Sequence, residues 1–274
     1  MNSQVFFPSP SLVLFFITIL VLVQIPMFLC YDWYSSCKNQ YSCGYITDIG
    51  YPFWGDGRVS GCGNPSLYLS CEHNTTFIDI NNVKYLVLGV NTTTNSLKIA
   101  RNDSWGGVCS LNHVNTTLDS NLFVYSPGYG DITLVYGCPS VMPGLFNCNG
   151  IGSGYMLPGA HGPDKCKVSV VFPVLQGEIQ FYTENMPKME EDIKEGFVVN
   201  WIEDKSCSDC IQSKGVCGYD VNTNQSTCYC SDQTHGPKPC PSPPPSNKSD
   251  QYHHHIIIFS TIARVVIASE RKSF

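Results

Sequence analysis

Charge is the scarcest ingredient of this chain. Asp, Glu, Lys and Arg together make up 14% of its 274 residues, with 16 cationic side chains against 22 acidic ones and a formal net charge of −6. That balance excludes a nucleic-acid binder, which needs a basic face. Catalytic signatures are missing too. There is no G-x-S-x-G elbow, no H-E-x-x-H helix and no protein-kinase signature set. Carboxylates occur, but nothing in the sequence pairs them as a glycosidase requires. No stretch approaches the ~20 consecutive apolar residues of a transmembrane helix, and no long segment keeps a 3.6-residue hydrophobic period.

Cysteine and hydrophobic residues are plentiful, at 15 cysteines and 43% of the chain. The apolar run Leu12–Val23, broken by Gln24 and Pro26, has the length of a secretory leader's core. Residues 1–30 are therefore read as a signal peptide, with an uncleaved anchor as the alternative, and the product as secreted or extracellular. Fourteen cysteines remain beyond Cys30: Cys37, Cys43, Cys62, Cys71, Cys109, Cys138, Cys148, Cys166, Cys207, Cys210, Cys217, Cys228, Cys230 and Cys240. An even set in an exported chain is a disulfide framework, with partners that spacing does not settle. Six N-x-[S/T] sequons, at Asn74, Asn91, Asn102, Asn115, Asn224 and Asn247, predict surface N-glycans.

The fold class expected is mainly β: a disulfide-rich, β-sandwich-like or irregular β domain over 31–180, then a small disulfide-stapled module over 181–240. Strand candidates rich in Val, Ile, Tyr, Phe and Thr fall at 75–80, 84–90, 96–99, 122–125, 132–136 and 167–171, bounded by Asn, Gly or Pro. Met186–Glu195 is the best helix candidate, with Pro187 in its first turn and Gly196 as its stop. Phe197–Trp201 alternates as a strand does. Between Cys207 and Cys240 six cysteines fall among few apolar residues, so sulfur must replace a core there. Residues 241–274 are a Pro/Ser-rich linker and an atypical tail whose apolar pieces Arg264 divides.

Several motifs favour structure over chemistry. The closely spaced thiols from Cys207 to Cys230 suit tetrahedral zinc, but an oxidising compartment favours disulfides. Asp220-x-Asn222-x-Asn224 begins like a calcium loop, yet lacks its glycine and its final glutamate. Gly150–Gly154 has no phosphate-loop context and is read as a flexible loop. His253–His255 is a tail feature. No metal or cofactor is expected. Trp33, Tyr34, Tyr51, Phe53, Trp54 and Trp105 occupy loop-like contexts, where aromatic faces either stack on sugars or pack over disulfides.

The cysteines and their neighbours carry a resemblance. Cys37-x5-Cys43-Gly44, Ile49-Gly50-Tyr51-Pro52-Phe53, Cys62-Gly63-Asn64-Pro65 and Leu67-x-Leu69-x-Cys71 resemble the galacturonan-binding extracellular domain of plant wall-associated receptor kinases. Phe197–Trp201, Cys207-x2-Cys210-x6-Cys217-Gly218 and Cys228-x-Cys230 resemble the cysteine-rich module that follows it, most closely in leaf-rust-resistance-type receptor-like kinases. The resemblance spans about 37–240 and implies a non-enzymatic ectodomain, at the cell wall or the outer face of the plasma membrane, that binds cell-wall pectin, with other receptor ectodomains as further partners. The alternative is a protein-interaction ectodomain without glycan affinity. The membrane helix and kinase that the family implies have no counterpart motif in these 274 residues. Demethylated galacturonan is a polyanion, yet residues 31–240 hold twelve Lys and Arg against twenty Asp and Glu, a net charge of −8. A local patch is therefore needed, and the sugar-binding candidates are Lys84, Lys98, Arg101, Lys165, Lys167, Trp54 and Trp105.

Overall fold

A computed structural model describes residues 31–139 and 144–241. The expected leader, Asn247, the His tract and the tail lie outside the described residues.

Asp32 caps the first described helix, α1 (Trp33–Lys38), accepting from the Ser35 N–H at 3.0 Å. A two-stranded ribbon follows, β1 (Tyr41–Cys43) with β2 (Ile46–Ile49). Next come β3 (Trp54–Gly55), β4 (Tyr68–Glu72), β5 (Thr75–Ile80), β6 (Val83–Asn91) and β7 (Ser96–Arg101). β5 turns Thr76, Ile78 and Ile80 inward and Thr75, Phe77 and Asp79 outward, the period of a half-buried strand. Its hairpin turns are His73-Asn74 and Asn81-Asn82, all four residues at positive φ, as two-residue loops demand and Asn tolerates.

The chain then forms β8 (Phe123–Tyr125), β9 (Tyr129–Tyr136), β10 (Phe146–Cys148), β11 (Gly152–Pro158) and β12 (Val168–Leu175). A short helix α2 (Ile179–Tyr182) leads to α3 (Met186–Glu195) and β13 (Phe197–Trp201). Helix α3 has the bounds that its sequence signals predict. Asn185 adds the cap, accepting from the Lys188 N–H at 3.1 Å. Gly196 ends the helix at φ 76°, and a Cβ there would stand 2.0 Å from the Ile99 carbonyl, so backbone and neighbour both require glycine.

Two sheets share one core. The larger has the order β3-β4-β5-β6-β7-β13-β8 and the smaller β10-β11-β9-β12. Their inner residues form a single cluster, in which Phe172 of β12 meets Phe197 of β13 edge to face at 6.0 Å. Phe172, Phe197, Tyr85 and Tyr136 are fully buried, each adding about 1.5–3 kcal/mol by removal from water. β9 is buried on both faces from Ile132 to Tyr136. Its outer face is closed by the 159–161 loop, since the Thr133 hydroxyl donates to the Gly159 carbonyl and accepts from the His161 N–H.

The expected boundary at 180/181 is crossed by the fold. β13 pairs with β7 on one side and β8 on the other, so the later segment supplies an interior strand to the larger sheet. Alternation in Phe197–Trp201 marked a strand, but not its partners. The Gly150–Gly154 stretch is also no flexible loop. It enters β11, where a Cβ on Gly154 would meet the Phe146 ring and the Val135 carbonyl, each at 2.4 Å.

The remaining elements are α4 (Lys205–Gln212), β14 (Val216–Asp220), β15 (Gln225–Tyr229) and β16 (His235–Gly236). The core beneath them is sulfur: Cys207, Cys210, Cys217, Cys228 and Cys230. All fourteen described cysteines are paired, as Cys37–Cys62, Cys43–Cys71, Cys109–Cys148, Cys138–Cys166, Cys207–Cys217, Cys210–Cys228 and Cys230–Cys240. Cys228, Cys230 and Cys240 come within 4.8 Å of one another, but as members of two disulfides. Trp33 joins this module to the rest, stacking on Tyr229 at 5.4 Å over Gly61. Glycine follows Cys217 because a Cβ on Gly218 would strike the Tyr229 ring and the Gly61 carbonyl.

Candidate functional site

The outer face of the larger sheet is built by register. Trp54 lies opposite Tyr68, Ser70 opposite Phe77, Asp79 opposite Lys84, and Phe77 opposite Leu86, which faces Ala100. Alternation puts Lys98, two residues before Ala100, on the same face. Trp54, Tyr68, Phe77, Lys84 and Lys98 therefore share one surface across β3 to β7, the face turned away from the core. Trp54 packs edge-on against Tyr68 at 4.8 Å. Its indole Nε1 is buried without a hydrogen-bond partner among the described residues. Lys84 Nζ lies 4.5 Å over the Phe77 ring and 2.6 Å from Glu72 Oε1.

Beyond Lys98 the face opens into a groove of about 890 Å³ between β6–β7 and helix α3. Trp105, 59% exposed, forms one wall, and Lys188 and Lys194 stand on the helix. Lys98 and Lys194 make no salt bridge among the described residues, whereas Lys188 is tied to Asp192 at 2.5 Å, a contact that raises its pKa. Glu190 turns inward to accept from the Val108 N–H at 3.1 Å. Glu191 and Glu195 keep the groove from being strongly cationic.

The seven sugar-binding candidates thus divide. Lys98 and Trp105 line one groove, and Trp54 and Lys84 lie on the same sheet face. Lys165 and Lys167 are exposed beside the Cys138–Cys166 bridge, away from that sheet, with Lys167 Nζ 3.4 Å from the Ile151 carbonyl. Arg101 leaves the set. It is fully buried, gripping both Asp103 oxygens and donating to the carbonyls of Asn112 and Val114. Alternation explains its place, because it is the strand neighbour of Ala100 and so faces the opposite way from Lys98. Tyr68, Phe77, Lys188 and Lys194 were missed. The first two were hidden in strands whose outward faces become visible only with register, the others in a helix whose docking partner was unknown. Phe53 is buried against Trp201, and Trp33 is half-buried and stacked on Tyr229, so both are packing aromatics.

A second groove, of about 870 Å³, follows the seam between the sandwich and the cysteine-rich module. At its floor the Tyr51 hydroxyl donates to Asp204 Oδ2 at 3.1 Å. Burial, and then the Asp204 charge, push the tyrosine pKa far up. Burial raises Asp204 in turn, but the hydroxyls of Ser206, Ser226 and Tyr51 hold it below its ordinary value.

All described sequons are exposed: Asn74, Asn91, Asn102, Asn115 and Asn224. No helix of the described residues is long and apolar enough to cross a membrane.

Residues 37–101 match the family described as wall-associated receptor kinase galacturonan-binding, and residues 153–233 that described as wall-associated receptor kinase C-terminal. Among curated proteins, the chain is similar to three from Arabidopsis thaliana, each named a leaf rust 10 disease-resistance locus receptor-like protein kinase-like protein. Number 1.4 is 34% identical over 79% of this chain and 32% of its own length. Number 2.4 is 33% identical over 78% and 35%, and number 1.3 is 35% identical over 68% and 28%. The chain thus spans about a third of the length of these relatives. No solved structure matches. With both ectodomain types in one disulfide-bonded fold, the chain belongs to the wall-associated receptor kinase ectodomain family, among relatives of the leaf-rust-resistance receptor-like kinases.

Proposed function

We propose that this protein is a non-catalytic extracellular ectodomain that binds pectic galacturonan at the plant cell wall, along the outer face of β3–β7. The observation that carries the reading is the register-built row of Trp54, Tyr68, Phe77, Lys84 and Lys98, leading into the Trp105 groove. Five strands at their usual spacing give a platform about 19 Å across, long enough for several sugar units. Aromatic rings offer flat apolar faces to pyranose rings. Lys98, Lys194 and Lys84 supply the local cations that a uronate chain needs against a net-negative surface.

The test is calorimetric titration with demethylated oligogalacturonides at low and moderate salt, using the oxidised protein. Saturable binding that weakens with salt is expected. Lys98→Glu and Trp105→Ala should each weaken it about tenfold, the equivalent of ~1.4 kcal/mol. Lys165→Glu should change it little. Unchanged affinity in both groove variants would remove this surface from the reading. No binding at all would favour a protein-interaction ectodomain instead.

A further inference from the structure

We propose that the seam groove is itself a sugar site, and that its occupant is an N-linked glycan carried by Asn224 of the same chain. Asn224-Gln225-Ser226 is a sequon at the tip of the β14–β15 hairpin, and Asn224 is both exposed and part of the groove wall. Its Oδ1 accepts from the Tyr219 hydroxyl at 2.8 Å. That bond fixes the carboxamide and leaves Nδ2, the atom that carries a glycan, without a partner among the described residues. Attachment uses the lipid-pyrophosphate-linked oligosaccharide of the secretory pathway. The bond from Nδ2 to the sugar's anomeric carbon forms, the bond from that carbon to the pyrophosphate oxygen breaks, and an Nδ2 proton leaves to the transferase's base.

The groove's chemistry suits N-acetylglucosamine rather than a uronate. Asn64, Asn95, Asn121 and Gln225 line the groove, with carboxamides that both donate and accept, as acetamido and hydroxyl groups require. Asn64 Oδ1 also accepts from the Ser66 N–H and Asn121 Nδ2 also donates to Asp119, and each carboxamide keeps further capacity. The Tyr51 and Tyr219 rings flank them. The charged lining is Lys205 against Glu203 and Asp204, and the hydroxyls around Asp204 keep it ionised, so the groove is slightly acidic and disfavours a uronate but not a neutral sugar. About 870 Å³ lies within the range of small-ligand sites. Two further observations point to a covering sugar. Ile202 and Ile211 are 48% and 61% exposed on this groove, and a glycan lying there would shield both. At the facing β6–β7 turn, Thr92 lines the groove beside a second sequon at Asn91, so a sugar chain on that tip would narrow the mouth against a bulky protein partner. This site is distinct from the outer sheet face, and its failure leaves that reading untouched.

The experiment is performed on the full chain secreted from a host that adds high-mannose glycans. Occupancy is read by glycopeptide mass spectrometry. The native protein is then digested with an endoglycosidase that cuts between the two core N-acetylglucosamines. The Asn224 glycan should be released about tenfold more slowly than those on Asn74 and Asn102 of the same molecules, the worth of one or two hydrogen bonds. Asn121→Ala and Gln225→Ala both keep the sequon, and each should bring its release close to the rate at Asn74. An unoccupied Asn224, release as fast as at Asn74, or protection that neither variant relieves would overturn the proposal.

Discussion

Arg101 is a buried cation with its counter-ion two residues away. Its guanidinium meets Asp103 through two nitrogens, at 2.9 and 2.7 Å, and ties down the carbonyls of the 112–114 loop. Losing it would leave Asp103 and those carbonyls unpaired, so Arg101→Ala should cost about 3–5 kcal/mol in denaturant unfolding. The acid response follows from the partner. Burial raises the Asp103 carboxyl, yet the Arg101 guanidinium and the Asn112 N–H together hold it below its ordinary 3.8. A depressed carboxyl stabilises fully above pH 3.8, and the contribution is lost as pH falls through the lower folded value. Wild-type stability should therefore fall more steeply below pH 3.8 than that of Asp103→Asn. Equal slopes in acid unfolding curves would exclude Asp103 from the response. The sequence showed Arg101 as one more cation near Lys98. One step of strand alternation separates a surface charge from a buried one, and composition does not show which step the chain takes.

Among the strands, β13 bears on the integrity of the larger sheet. It contributes Phe197, Val199 and Trp201 to the core and covers the edge of β7. A chain ending at residue 180 would leave Leu97 and Ile99 beside an unpaired edge, an invitation to aggregate. Secretion of 31–180 should give aggregated or unfolded material, whereas 31–240 should be monodisperse; a well-folded 31–180 would show β13 to be dispensable. Gly196→Ala should also destabilise, because the positive φ and the Ile99 carbonyl both oppose a methyl group. Each kcal/mol lost should lower the melting temperature by about 2–4 °C. Local signals made these elements legible: the Asn-bounded hairpins, the bounds of α3 and the alternation of β13 all follow from side-chain period and turn chemistry. Pairing was not legible, since Phe197–Trp201 carries no mark of β7 and β8 as its neighbours. α4 was missed because its cysteines masked an ordinary Asp204 cap, with the carboxylate accepting from the Ser206 N–H.

The two ends of the described chain meet in one assembly, with α1 packed against β14 and Tyr229. Stability is unevenly distributed across it. The sandwich holds a broad apolar core, while the module from Cys207 to Cys240 holds sulfur. Graded reduction followed by protease should cut first within 207–240 and leave β9 intact, a pattern that peptide mapping would show. Simultaneous loss of both would mean that the seam couples them fully. The cysteine count foretold the module, but the seam could not be foreseen, because Trp33, Gly61 and Gly218 acquire their meaning only when brought together.

The placement of β13 also has a consequence for how the protein is made. Each of the seven bridges closes a short stretch, 10 to 39 residues apart. The pairing of Ile99 with Phe197 spans far more of the chain. On the extracellular reading proposed above, a polypeptide entering the secretory lumen from its N-terminus has the cysteines of its first four bridges available while β7 still waits for its neighbour. Sulfur chemistry can hold the early strands in place during translation, and the sheet completes only once Trp201 has emerged.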